Sequence, residues 1–220
     1  MDAETFRADL EAAKRTELDR LGSNKLLIAL TDATLETEAV LRAAADSEHA
    51  ASETFREWAE TESDADAAAA FEWTGDRELD HRERVLATLA DAVGEDATGE
   101  SVYDPNDGGT LHTYLRERTD TVERVAAGLV GRPLVSTRTH TQVVSFFVNE
   151  ADETRADLFR ELKTETEAEL DRGLELLDDL CTDADDWERA QMVAEYVVQV
   201  AYDDYADALT GLGVDVKPVC

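Results

Sequence analysis

The sequence predicts an all-α fold: a four-helix bundle of two helical hairpins joined by a long crossover, with extra N-terminal and C-terminal helices. Three observations predict it. Apolar residues recur at three- and four-residue spacing along most of the chain, with no sustained strand-like alternation. Proline is confined to Pro105, Pro133 and Pro218. The chain also echoes itself. Phe55-Arg-Glu-Trp-Ala-Glu-Thr-Glu leads through a short turn to Ala-Ala-Ala-Ala-Phe71, and Phe146-Phe-Val-Asn-Glu-Ala-Asp-Glu leads through a similar turn to Arg-Ala-Asp-Leu-Phe159.

Each element has its own signal. An amphipathic helix over about 3–21 places Phe6, Leu10 and Leu21 together, and Gly22-Ser23-Asn24 stops it. A short helix follows from Lys25 to about Thr31, then a long one over about 35–61. Ser63-Asp64 supplies an N-cap for a helix over 65–93. From Gly94 to Gly109 the residues are those of loops. The pattern predicts a helix over about 110–130, a kink or break at Gly131-Arg132-Pro133, and a helix over 134–149. Two more are predicted at about 152–180 and 187–212; Asp183–Asp186 caps the last, and Gly211 and Gly213 end it. The tail 214–220 reads as extended. This is one domain, 1–220, with the bundle core at about 35–180.

Composition narrows the function. The chain carries 52 acidic against 21 basic residues, a net charge of −31, and only four lysines. Disorder does not follow, because 43% of residues are hydrophobic and fall at helical spacing. The reading is a folded protein whose solvent face is saturated with carboxylates, suited to a salt-accumulating, halophilic cell where screening weakens self-repulsion. Such a surface repels nucleic acid and anionic membranes. No stretch approaches the ~20 apolar residues of a membrane span. Met1-Asp2-Ala3-Glu4 lacks the features of a secretion signal, and Cys181 and Cys220 have no disulfide or metal-ligand spacing, so a reduced cytoplasmic setting is expected.

The chemistry-bearing residues emerge when the apolar stripes are stepped out. One stripe reads Phe71, Thr74, Glu78, His81, Val85, Thr88; its neighbour reads Leu41, Ala44, Glu48, Ala51, Phe55, Trp58. Glu48, Glu78 and His81 therefore belong to the core, where a carboxylate without a partner costs several kcal/mol. A shared cation explains all three most economically. In the second half the stripes read Leu129, Pro133, Ser136, His140, Val143, Phe147 and Phe159, Leu162, Thr166, Glu169, Gly173. The candidate metal ligands are Glu48, Glu78, His81, His140 and Glu169, a nitrogen and oxygen set suited to iron, manganese or zinc.

Glu48 followed by Glu78-x-x-His81, with Phe71 before it and His81-Arg-Glu-Arg-Val-Leu after it, resembles the first half of rubrerythrin-like proteins in the ferritin-like superfamily. The resemblance covers about residues 35–180. It implies a ferritin-like four-helix bundle and metal-dependent oxidoreductase chemistry toward oxygen or peroxide, with an electron donor left unspecified. The chain departs from the family pattern at Thr166 and Glu169, where Glu and His are expected, and has no rubredoxin-like Cys-x-x-Cys pairs. One metal, an altered pair, or none remain open.

The plainer alternatives are these. Glu78 and His81 form a core ion pair, His140 is a satisfied core histidine, His49 is exposed, and His112 has no role. Trp58, Trp73, Trp187, Tyr196, Tyr202 and Tyr205 are packing residues. The corresponding functions are a metal-free scaffold or interaction protein, with a homodimer through the apolar last helix, or a small-molecule binder with an enclosed cavity.

Overall fold

The computed structural model describes residues 1–94 and 108–217, and among them all regular structure is helical. The helices are α1 (Ala3–Ala13), α2 (Arg15–Leu21), α3 (Lys25–Leu30), α4 (Thr37–Thr61), α5 (Ala65–Val93), α6 (Gly109–Arg116) and α7 (Thr121–Arg124). A π-helical turn (Val125–Gly131) then leads into α8 (Arg132–Asn149), followed by α9 (Glu153–Leu180) and α10 (Ala184–Gly211). Most of the loop expected over 94–109, and the end of the tail with Cys220, lie outside the described residues. No described helix is long and apolar enough to cross a membrane.

Local chemistry sets the boundaries. Asp2, Asp64, Asp120, Asp152 and Asp183 each accept a backbone N–H in the first turn of the helix they precede. Gly94 ends α5 at φ +72°. The first expected helix divides at Lys14, whose φ of −105° and ψ of 20° leave the helical region. The expected helix over 110–130 also divides, because the chain turns after Leu115 and Asp120 recaps it through Glu123 N.

Gly131-Arg132-Pro133 does not break the helix, as the sequence had suggested. Gly131 and Arg132 keep helical angles, and Pro133 sits in the first turn of α8. A proline inside a helix removes a donor and crowds the carbonyl four residues back. The wider π turn just before it takes up that misfit. Two glycines let this turn pack tightly. A Cβ on Gly128 would lie 2.5 Å from the Trp58 ring on α4, and one on Gly173 of α9 would lie 2.6 Å from Leu129.

α4 packs along α5, and α8 along α9. α10 lies across the π turn and also touches α1, α2, α3, α6, α7 and α8. Glu62 ties the α4–α5 corner to α7: its carboxylate accepts from Thr121 at 2.9 Å and from Arg124 at 3.1 Å. The buried apolar residues form two groups. The larger contains Phe55, Trp58, Phe71, Leu129, Leu177 and Trp187. The smaller contains Leu41, Val85, Leu89, Val143, Phe147 and Phe159. Along α4, α5, α8 and α9, the buried polar side chains occupy the level between them. The α5 stripe ends on buried Leu89 rather than half-buried Thr88.

The close approach at Gly173 gives a paired test. Gly173→Ala is expected to cost ~1–3 kcal/mol, because the added methyl meets both side chain and backbone of Leu129. Gly211→Ala, with open space around it, is expected to cause no loss. Denaturant midpoints in molar salt compare the two.

Candidate metal centre

The polar layer draws one or more side chains from each of α4, α5, α8 and α9. Glu48 comes from α4, Glu78 and His81 from α5, Arg132 and His140 from α8, and Thr166 and Glu169 from α9. All are buried, and Glu78, His81 and Glu169 are fully enclosed. Glu48, Glu78 and His81 each offer a ligand atom, with these atoms within 4.8 Å of one another. His81 Nδ1 lies 3.8 Å from Glu78 Oε2 and 3.9 Å from Glu48 Oε2. Donors held at ~2.1 Å around one transition ion sit ~3–3.5 Å apart, so the three are close to a shared coordination sphere.

Helix geometry explains the grouping. Glu78 and His81 are three residues apart on α5 and so project from the same face. Glu48 reaches them because α4 and α5 are antiparallel neighbours joined by a three-residue turn, Glu62 to Asp64.

Glu165 orients the imidazole. His81 Nε2 lies 2.7 Å from Glu165 Oε2. Burial raises the Glu165 pKa, but the bonds from His81 and Arg84 outweigh it and leave the carboxylate ionised. An ionised carboxylate only accepts, so Nε2 carries the proton and Nδ1 turns toward Glu48 and Glu78. Metal-bound histidines are commonly held in this way by a carboxylate on the far nitrogen.

Arg132 supplies the central positive charge. Its guanidinium Nη2 lies 2.6 Å from Glu78 Oε1 and 3.9 Å from Glu48 Oε2, and Nη1 lies 3.6 Å from Glu169 Oε2. Arg132 is 2% exposed. Three carboxylates against one guanidinium leave a buried charge of −3 + 1 = −2 when both imidazoles are neutral. Glu78 and Glu169 meet Arg132 as ion pairs without well-aligned hydrogen bonds, and His140 Nδ1 has no hydrogen-bond partner.

The titration behaviour follows from burial and this shortage of positive charge. Burial drives Glu78 well above the ordinary carboxylate range; Arg132 opposes the shift, while Glu169 and Glu48 add to it. Burial likewise raises Glu169. Glu48 goes the other way, since burial is outweighed by hydrogen bonds from Glu78 and His81 and by the nearby imidazoles. Burial alone would lower His81, but Glu48, Glu169 and Glu165 raise it. Burial pulls His140 down to about 4, which leaves it neutral. The layer therefore gathers protons where it lacks cations.

The sequence-derived set is brought together unevenly. Glu48, Glu78 and His81 converge. His140 faces Glu48, with Nε2 3.7 Å from Oε1. Glu169 meets the group through Arg132. Thr166 does not join it, because its hydroxyl donates to Leu162 O of its own helix at 2.9 Å. Sequence reasoning missed Arg132 and Glu165. Arg132 had a visible signal, being the one charged residue in the run 125–135. Glu165 lies one turn before Glu169 and flanks the same stripe.

His112 lies in the first turn of α6 and is buried, and its Nδ1 lies 3.0 Å from Thr54 Oγ1. Burial lowers it to about 3. His49 is half-buried, not exposed. Tyr196 is 51% exposed and packs at a tilt against Tyr114, a packing role as expected.

Comparison with protein-family models, curated proteins and solved structures returns no match.

Raised pKa values at Glu78, Glu169 and His81 mean that these three groups hold more protons in the folded protein than in the unfolded chain. Stability from these groups is full below their unfolded values and falls as pH rises through the folded ones. In metal-free protein at constant molar salt, Glu78 should contribute a decline in unfolding free energy as pH rises above about 4.5, the ordinary Glu value, opposed up to about pH 6.5 by His140 and His112, whose lowered values add stability as pH rises. Glu78→Gln, which fixes the neutral form, should flatten part of that decline. Denaturation at a series of pH values checks it, and an unchanged slope in the variant counts against the assignment.

Proposed function

We propose that this chain is a ferritin-like bundle protein, resembling rubrerythrins, that holds a single divalent transition-metal ion between Glu48, Glu78 and His81. The observation that carries the reading is the convergence of Glu48, Glu78 and His81 in a buried layer that has a formal charge of −2 when its three carboxylates are ionised. One divalent ion neutralises that charge, where the metal-free protein needs two protons. The nitrogen and oxygen donors suit iron, manganese or zinc.

The residues fit one ion and not two. Arg132 occupies the space between Glu78 and Glu169 where a second ion would have to sit. In this arrangement Glu48 and Glu78 supply charge, His81 supplies a neutral nitrogen, and Glu165 fixes the ring. Arg132 holds the far oxygen of Glu78 and carries a permanent positive charge beside the centre. His140, neutral and 3.7 Å from Glu48, is the group placed to take up or give a proton there. With iron or manganese bound, the centre would supply one-electron chemistry toward oxygen or peroxide, as the resemblance implies.

A second reading is favoured by Arg132 itself. An internal guanidinium already meets three carboxylates, so the layer can close without metal if Glu78 and Glu169 are protonated. The protein would then be a metal-free scaffold with a relic of a metal site.

Metal analysis separates the two. Protein purified in molar salt and loaded with manganese or zinc is expected to hold one ion per chain. His81→Ala and Glu78→Ala should abolish binding, and Glu165→Gln should weaken it ~10- to 100-fold. No bound metal in the wild type, together with unchanged melting on adding either ion, would leave the scaffold reading in place.

A further inference from the structure

A cavity of about 380 Å³ lies over the seam between α4 and α8. α4 and α8 do not pack closely on one another, and α3, α6 and α10 roof the gap between them. The walls are mostly aliphatic: Leu26, Leu27, Val40, Ala44, Val135 and Val143 all face it. Its volume falls within the ~300–1,000 Å³ of small-molecule sites. Aliphatic walls of this kind favour an apolar guest over water.

Arg132 also lines the cavity, and it is the residue that touches Glu78 and Glu169. The cavity therefore reaches the edge of the polar layer. Its rim is acidic, with Asp46 and Asp204 among the lining residues. The charge of Arg132 is already engaged by carboxylates, and the layer behind it is negative overall. An anionic head group would meet repulsion at both ends. The aliphatic walls, in turn, offer a cation nothing to offset its lost hydration.

We propose that this cavity is a binding site for a neutral, apolar small molecule, which it delivers to the Arg132 side of the polar layer. Binding itself does not require a metal. The assignment of that molecule as a substrate rests on the metal reading above.

The probe is N-phenyl-1-naphthylamine, a neutral fluorophore that brightens in apolar surroundings, titrated into the full metal-free chain in molar potassium chloride. Saturable binding of one probe per chain is expected. Ser47→Trp, at an exposed rim position, and Ala44→Phe, in the wall, should each weaken binding at least tenfold. Met192→Ala, at a residue 63% exposed that lines a separate pocket and not this cavity, should not. Circular dichroism establishes folding; if Ala44→Phe fails to fold, Ser47→Trp decides. 1-Octanol should displace the probe, whereas octanoate at the same concentration should displace it at least tenfold less well.

No saturable binding, equal binding by wild type and Ser47→Trp, or octanoate matching octanol would overturn the proposal. Each result is independent of the metal analysis. Probe binding without metal uptake would sink only the metal reading, and metal uptake without probe binding would sink only this one.

Discussion

The ion pair between Arg132 and Glu78 is the constraint on which the rest of the interior depends. Both groups are buried, and removing a carboxylate from water costs several kcal/mol unless a partner compensates. Four long helices therefore have to bring their polar positions to one level. Glu48, Glu78, His81, His140, Glu169 and Arg132 compensate one another only when α4, α5, α8 and α9 are in register. A slip of one residue in any of them would strand a charge among aliphatic neighbours. The polar layer thus fixes the register of a bundle whose apolar halves would tolerate several.

The aromatic packing and the π turn serve that register. Arg132 follows the π turn directly and opens α8. Gly128 lets the turn lie against Phe55 and Trp58, and Gly173 lets α9 approach Leu129. Outside the layer, carboxylates cover the surface and most ion pairs are exposed, so each adds little. The same residue type thus plays opposite parts. Glutamate on the surface is hydrated and replaceable. Glutamate at positions 48, 78 and 169 is buried and short of cations.

Much of this was legible in the sequence. Period and caps located the long helices, because an aspartate before an apolar periodic run has one strong local use. The stripes placed Glu48, Glu78, His81, His140 and Glu169 inside, since helix geometry alone decides which face a residue occupies. Two things were not legible. Arg132 was hidden by its neighbour Pro133, which marks a break under local rules; only tertiary packing keeps the helix running through a π turn. Glu165 was hidden because its importance lies in a contact with His81, 84 positions away, that sequence spacing does not encode. The division of the expected 110–130 helix depended on a short turn of ordinary polar residues.

The cavity and the polar layer meet at one residue, which joins an apolar approach to a charged interior. On the proposed reading, this centre, with its orienting carboxylate and fixed guanidinium, would accept one divalent ion. The most direct test is a crystal of the manganese- or zinc-loaded protein, measured for anomalous scattering. The account predicts one peak at ligand distance from Glu48, Glu78 and His81 Nδ1, with Arg132 still against Glu78. No peak in the bundle core, or a second peak in place of the guanidinium, would contradict it.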